Sequence, residues 1–313
     1  MPVSHSQSQG SRNKSFKKKT SIAKGRPPTA HKQLPSLSKK VTQKRIRSQH
    51  EFNKKIAEAK ATGNGDQVAK LERSVEELGG LKAYQLASIQ GQANDRGGDS
   101  SIVLMKWLKD IKPIASSKVK LRLLEVGALS TKNAISKSGL FDITRIDLNS
   151  QTEGIIQQDF MERPIPQYES NQFDIISLSL VLNFVPLPKS RGDMLNRTCQ
   201  FLDQRAPRSM PAGLQSTFPA LFLVLPAACI VNSRWMSDER LTLMMASLGY
   251  VILARKQTEK LVYYLWQLRD RPTVDEQDFQ KTEVNPGGGR NNFSIVLHGS
   301  SEKDSPETRG VDG

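Results

Sequence analysis

The run Leu121-Arg122-Leu123-Leu124-Glu125-Val126-Gly127-Ala128-Leu129-Ser130 constrains this chain more than any other stretch. A short apolar segment closes on an acid and a glycine. About twenty residues further on, Ile143-Thr144-Arg145-Ile146-Asp147 brings a second apolar run to an aspartate. A doubly wound α/β domain builds its ligand crevice from this order. The carboxyl ends of neighbouring strands open side by side where the strand order reverses. The glycine lets backbone approach a ligand. One carboxylate offers two adjacent acceptors, which is what a ribose diol requires.

Further apolar runs continue the pattern. The sequence predicts strands over Val119 to Val126, Asp142 to Asp147, Gly154 to Gln157, Phe173 to Leu178, Phe218 to Leu225 and Tyr250 to Arg255. It predicts helices over Asn133 to Ser138, Pro188 to Asp203 and Ser237 to Leu248, the last ended by Gly249. Leu261 to Leu268 and Phe293 to Leu297 compete for the last strand, or form a hairpin with the sixth. Continuous apolar runs suit strands covered on both faces. Alternating strands and helices imply a mainly parallel sheet. No internal repeat is visible.

Upstream, helix-forming sequence from Gln43 to about Lys60 is broken at Gly63-Asn64-Gly65. Asp66 is placed to cap a second helix, with Val68, Leu71, Val75 and Leu78 at helical spacing. A helix over Leu81 to Gln90, a glycine-rich loop from Gly91 to Ser101 and an amphipathic helix from Ile102 to Ile111 complete a helical prelude. The domain reading is a disordered basic leader over 1–42, a helical extension over 43–112, an α/β domain over 113–298 and a disordered tail over 299–313.

Charge separates the leader from the rest. The 313 residues carry 46 Lys and Arg against 31 Asp and Glu, a formal net charge of +15. No acidic residue precedes Glu51, whereas Lys14, Lys17, Lys18, Lys19, Lys24, Arg26, Lys39, Lys40, Lys44, Arg45 and Arg47 do. A segment that basic and that poor in apolar residues cannot bury enough surface to fold alone. It suits a phosphate backbone, or a nuclear or nucleolar address. Cys199 and Cys229 form no close pair and read as small buried hydrophobes in a reducing compartment. The polar N-terminus lacks the apolar core of a signal peptide. The most apolar stretch, Phe218 to Val231, is too short to span a membrane and is interrupted by Pro219 and Pro226. His5, His31, His50 and His298 lie in the basic N-terminal part or near the C-terminus. A His-based triad or a zinc site in the central domain is therefore not expected, and no metal is assigned.

The residues after Gly127 narrow the choice of ligand. Dinucleotide enzymes also use a first-turn glycine and a second-strand acid. They want G-x-G-x-x-G, so that a pyrophosphate sits on a helix N-terminus. Here Ala128, Leu129 and Ser130 stand instead. A nucleoside ligand without phosphate, such as S-adenosylmethionine, tolerates that loss. In such a pocket Asp147 takes the ribose. The Asp159 carboxylate accepts from the adenine N6 amino group, while backbone beside it, at Phe160, reads the ring edge. Ser179 faces the methionine portion, and Arg96 pairs with the ligand carboxylate. Beyond strand four, Asn183 offers an amide to a base edge and Phe184 a stacking face. The plain alternatives are a strand-end turn at Asp147, a bare loop at Asp159, and a satisfied asparagine beside a core phenylalanine.

Several longer stretches carry a resemblance: Tyr84-Gln85-Leu86-Ala87-Ser88, Arg96-Gly97-Gly98-Asp99-Ser100-Ser101, Leu124-Glu125-Val126-Gly127-Ala128-Leu129, Arg145-Ile146-Asp147-Leu148-Asn149, Gln158-Asp159-Phe160-Met161-Glu162-Arg163-Pro164, Ser179-Leu180-Val181-Leu182-Asn183-Phe184-Val185-Pro186 and Arg290-Asn291-Asn292-Phe293. Over roughly Gly79 to Leu297 the chain resembles the fungal large-subunit (25S) ribosomal RNA adenine-N1-methyltransferases. The resemblance implies a Rossmann-like class I methyltransferase with a seven-stranded, mainly parallel sheet. It implies S-adenosylmethionine as cofactor, ribosomal RNA and proteins of the pre-ribosomal particle as partners, no membrane, and work in the nucleolus. Cofactor contacts are implied from Gly127 and Asp147, with Asp159, Phe160, Ser179 and Arg96 as further candidates; Asn183 and Phe184 take the catalytic side. The chain departs from the Asn/Asp-Pro-Pro-aromatic motif of many adenine-modifying enzymes, having Asn183-Phe184-Val185-Pro186. The alternative is a non-catalytic S-adenosylmethionine sensor that binds a protein partner, as a metazoan relative does. The basic leader argues for RNA.

Overall fold

The structure, a computed structural model, describes residues 38–80, 98–109, 120–150, 152–203, 216–269 and 278–298. Helix α1 (Lys39–Ala61) begins earlier than the expected Gln43 because Ser38 caps it, its hydroxyl accepting from Val41 N. Helix α2 (Gly65–Glu77) is capped by Asn64, whose Oδ1 accepts from Gln67 N at 3.1 Å. Asp66, the expected cap, lies instead in the first turn, where its charge complements the helix dipole. Lys60 and Glu72, 3.3 Å apart, tie the two helices. Expectations for the leader up to residue 37, the helix over Leu81 to Gln90, the loop bearing Arg96 and the tail after His298 lie outside the described residues.

After α3 (Ser101–Lys109) come β1 (Leu121–Val126), α4 (Ala134–Lys137), β2 (Phe141–Asp147), β3 (Ile156–Gln157), β4 (Ile175–Ser179), α5 (Pro188–Phe201), β5 (Ala220–Pro226), α6 (Asp238–Ser247), β6 (Tyr250–Gln257) and β7 (Leu261–Leu268). The seven strands form one sheet in the order β3-β2-β1-β4-β5-β7-β6. The pairs from β3 to β5 are parallel. β7 runs antiparallel to both neighbours. The connection from β6 to β7 is short, with Thr258 N donating to Leu261 O at 2.8 Å, and so tight a turn permits only antiparallel pairing. The last strand is therefore Leu261–Leu268. Phe293 to Leu297 is a buried segment outside the sheet, with Leu297 in an isolated pairing with Phe279.

The central strands are covered on both faces, and strand periodicity sorts their side chains. Leu124, Val126, Leu221, Leu223, Leu225, Tyr264 and Trp266 share one buried cluster with Met194 and Leu195 of α5 and Leu241 of α6. Leu121, Leu123, Ala220, Phe222, Val224, Tyr263 and Leu265 share the other with Leu104 and Leu108 of α3. Alternate residues of each strand thus feed opposite cores. This is why β5 reads as an unbroken apolar run and β7 is broken only at Gln267. No helix among the described residues is long and apolar enough to cross a membrane.

Candidate active site

The order of strands reverses between β1 and β4, and a crevice forms there at their carboxyl ends. Val126 pairs with Ile146 on one side and Leu178 on the other. The residues that follow each strand, or end it, are Gly127, Asp147 and Ser179, so the three meet at one edge. Gly127 has φ +72°, a left-handed conformation, and a Cβ built on it would lie 2.6 Å from Val181 Cγ2. Its N–H and that of Ala128 both donate to Ile146 O, at 2.8 and 3.1 Å. Only glycine satisfies both the turn and the close approach.

Asp147 ends β2 with its carboxylate accepting from Asn149 N at 2.9 Å, while its carbonyl accepts from Gln158 N at 2.9 Å. That second bond brings Asp159 to the same edge. Asp159 Oδ1 accepts from Met161 N at 2.7 Å, and its carbonyl from Arg163 N at 3.0 Å, which sets a tight turn. Phe160 lies within that turn, yet its ring is buried at 2% exposure and packs 5.1 Å from the Phe201 ring. Arg197 lies over it and donates to its carbonyl at 2.9 Å. The side chain belongs to the core, so only the backbone at Phe160 is left to serve the crevice.

The prelude reaches the same edge. The Asp99 carboxylate accepts from Ser101 N at 2.9 Å and Ser101 Oγ at 2.6 Å, and also from Ala134 N at the start of α4. Ser100 Oγ lies 2.7 Å from Ser179 Oγ. Sequence reasoning singled out Arg96 in this motif; Arg96 lies outside the described residues. Asp99 and Ser100, in the same motif, are what the fold delivers to the crevice. The available signal was Asp-Ser-Ser immediately before an amphipathic helix, a capping pattern. Beneath them, Glu125 accepts from Asn133 Nδ2 at 2.7 Å and lies 3.6 Å from Arg145 Nε. Burial pushes the Glu125 carboxyl up to about 7, against the pull of Arg145 and Asn133 and with a further push from Asp99.

Beyond Ser179 the backbone is strained. Leu180 has φ +59°, which non-glycine residues rarely adopt, and its N–H is held by Val224 O at 2.9 Å. A single 3-10 turn over Leu182–Phe184 comes next. In it Asn183 Oδ1 is buried with no hydrogen-bond partner among the described residues. An acceptor left so is destabilising by about 1–3 kcal/mol, and a ligand donor would recover it. Phe184 is half-buried beside it. A glycine cradle no Cβ would enter and a carboxylate at the end of β2 fit a nucleoside cofactor. A separate groove of about 530 Å³ opens near the amino ends of β1 and β2, among Arg122, Asp142, Arg163 and Tyr168. Arg122 there is already committed to Asp174 and Asp203, at 3.4 and 2.6 Å.

Comparison with known proteins bears on the same region. Residues 69–295 match the sequence model of the family described as 25S rRNA (adenine(2142)-N(1))-methyltransferase, Bmt2. The 25S rRNA (adenine(2142)-N(1))-methyltransferase of Saccharomyces cerevisiae is 42% identical over 224 residues, 71% of this chain and 61% of that protein, so the match spans less than two thirds of its length. The 25S rRNA adenine-N(1) methyltransferase of Schizosaccharomyces pombe is 40% identical over 234 residues, 74% of this chain and 81% of that protein. Among solved structures, magnesium protoporphyrin IX methyltransferase from Synechocystis PCC 6803 with bound SAM is similar at a TM-score of 0.39 and 9% identity, over 58% of this chain and 83% of that one. The sheet has the class I methyltransferase architecture, and with a match of this length at 40 to 42% identity the chain belongs to the Bmt2 family.

Proposed function

We propose that the protein is an S-adenosylmethionine-dependent methyltransferase that modifies N1 of an adenine in large-subunit (25S) ribosomal RNA. The observation that carries this reading, within the family, is Asn183 Oδ1: a buried acceptor with no donor among the described residues, two residues from the Val181 that closes over Gly127. A cofactor-only sensor has no use for a second acceptor there. An adenine N6 amino group supplies the missing donor.

When bound, S-adenosylmethionine supplies a methyl carbon activated by its sulfonium. Asp147 would hold the ribose, Asp159 and the Phe160 backbone the cofactor's adenine, and Ser179 with Ser100 the methionine end. The target N1 carries a free lone pair and needs no base to activate it. As the bond from carbon to sulfur breaks, the positive charge passes from the sulfonium to the methylated ring, and N6 can lose a proton to solvent later. Asn183 and Phe184 therefore act by orienting and desolvating the base rather than by moving a proton. N1 is hidden in a Watson–Crick pair, so the target must be unpaired or extruded.

The basic leader and α1 would hold the RNA. Lys40, Lys44, Arg47, Lys54 and Lys55 are exposed and fall within an arc of about 100° on α1. Only Arg47 and Lys54 of these pair within the helix, with Glu51 and Glu58, among the described residues. Such contacts give salt-dependent affinity and little sequence information. Nucleolar work and contact with pre-ribosomal proteins belong to the same proposal. The test is methyl transfer from labelled cofactor to 25S RNA lacking its native methylation, mapped to the base. Incorporation at N1 of one adenine, lost by about 10²-fold in Asn183→Ala with cofactor affinity kept, is the expected result. Tight cofactor binding with no transfer by the wild type overturns it.

A further inference from the structure

Two walls meet at the start of α5, and one arginine joins them. The first wall is the Asn183-Phe184-Val185-Pro186 turn. The second is the segment from Asn291 to Leu297, which comes after β7 and is not part of the sheet. Arg191, in the first turns of α5, donates from Nε to Val185 O at 2.8 Å, from Nη2 to Pro186 O at 3.3 Å and from Nη1 to Ser294 O at 2.6 Å. Its guanidinium lies 4.5 Å from the centre of the Phe293 ring. The residue is 9% exposed, and no carboxylate pairs with it among the described residues. Burial lowers its pKa to about 10, so it remains a cation at neutral pH. Three carbonyl dipoles and a ring face compensate that charge. A rigid planar fork suits this geometry, and a lysine point charge does not reproduce it.

The neighbouring residue tightens the same junction. A Cβ at Gly192 would lie 1.9 Å from Val296 O, so helix and segment touch at backbone distance. Val296 N also donates to Pro188 O at 3.1 Å. The segment is anchored from its far side: Ser233 Oγ donates to Phe293 O at 2.6 Å, and Asn291 N to Asn232 O at 2.8 Å. The start of α5 is thus a clasp between the turn after β4 and a segment more than a hundred residues later in the chain.

We propose that Arg191 is a positioning residue for the target base, holding the Asn183–Pro186 wall and the Phe293–Ser294 segment as one body. The inference rests on the proposed function, because it gives those walls a substrate to orient. It makes the segment part of the active site, although no side chain in it was assigned a chemical role. Loss of the fork leaves the contacts at Gly127, Asp147 and Asp159 intact and lets the Asn183 turn drift. A displacement of about 1 Å at such a wall reduces turnover by about 10²-fold.

The test uses the full chain, with Arg191→Lys as the main variant and Phe293→Leu as a milder second. Arg191→Lys keeps the charge and loses the fork; Phe293→Leu keeps most of the volume and loses the ring face. Cofactor affinity by calorimetry should stay within about twofold of wild type for both. On unmethylated 25S RNA, kcat should fall about 10²-fold for Arg191→Lys and about tenfold for Phe293→Leu, with KM for RNA little changed. A purely structural residue would lower the melting temperature and affinity together without that split. Wild-type kcat in Arg191→Lys overturns the proposal. If Arg191→Lys does not fold, wild-type kcat in Phe293→Leu overturns it instead. Failure of the wild-type protein to methylate RNA at all overturns the functional reading, a separate outcome.

Discussion

Replacing Gly127 by alanine tests the crevice at its tightest point. Two terms oppose the substitution. An L-residue held at φ +72° is destabilised by about 1–2 kcal/mol relative to glycine. The new methyl would stand 2.6 Å from Val181 Cγ2, where carbon atoms prefer about 3.5–4.0 Å. Relieving such an overlap typically adds about 1–3 kcal/mol. The sum, about 2–5 kcal/mol, is divided between overall stability and the shape of the turn that meets the cofactor. With 1.4 kcal/mol per factor of ten, affinity for S-adenosylmethionine should fall at least about tenfold by calorimetry. Val181→Ala removes the opposing methyl, so Gly127→Ala/Val181→Ala should regain about 1–3 kcal/mol relative to the sum of the single changes, leaving the backbone term. Wild-type affinity in Gly127→Ala, or simple additivity of the two changes, would refute the argument that Val181 closes over this glycine.

Asp147→Ala should weaken cofactor binding by about 10²-fold or more in the same assay, since the loss removes a charge-assisted pair of acceptors; unchanged affinity would remove the ribose assignment. Glu125 predicts a pH dependence. Its folded-state pKa, about 7, lies above the ordinary carboxylate range, so the folded state binds the extra proton and stability falls as pH rises from about 4.5 through 7. The drop is about 1–3 kcal/mol, read as a falling urea midpoint between pH 5 and pH 8, and Glu125→Gln should flatten it. Deleting residues 1–37, which spares the Ser38 cap of α1, should weaken RNA binding and reduce its salt dependence while cofactor affinity holds. Collapse of cofactor binding in that truncation would make the leader structural.

The cofactor side was legible because strand ends announce themselves: apolar runs stop at Glu125-Val126-Gly127 and Ile146-Asp147, and the register then leaves no choice about which ends meet. Phe160 was only half legible, since an aromatic beside a strand-end acid looks the same in sequence whether its ring faces a ligand or, as here, Phe201. The competition between Leu261 to Leu268 and Phe293 to Leu297 could not be settled from composition. Both are apolar and short, and the turn at Thr258 decided it. Leu180 carried no warning of its positive φ, which is imposed by its tie to Val224 on the next strand. Nothing in the sequence around Arg191 marks it out from the other cations of its helix. Its role comes from carbonyls at Val185, Pro186 and Ser294, and that sequence distance hides any local pattern.

The reversed direction of β7 has a consequence for anyone dissecting this protein. Leu268 finishes at the opposite rim from Gly127, with its N–H bonded to Pro219 O at the entry to β5. A fragment trimmed after that residue would keep every hydrogen-bonded rung of the sheet and pass a circular-dichroism inspection. It would nonetheless have discarded the strap that returns to clamp α5, and with it the partner that Arg191 ties to the turn after β4.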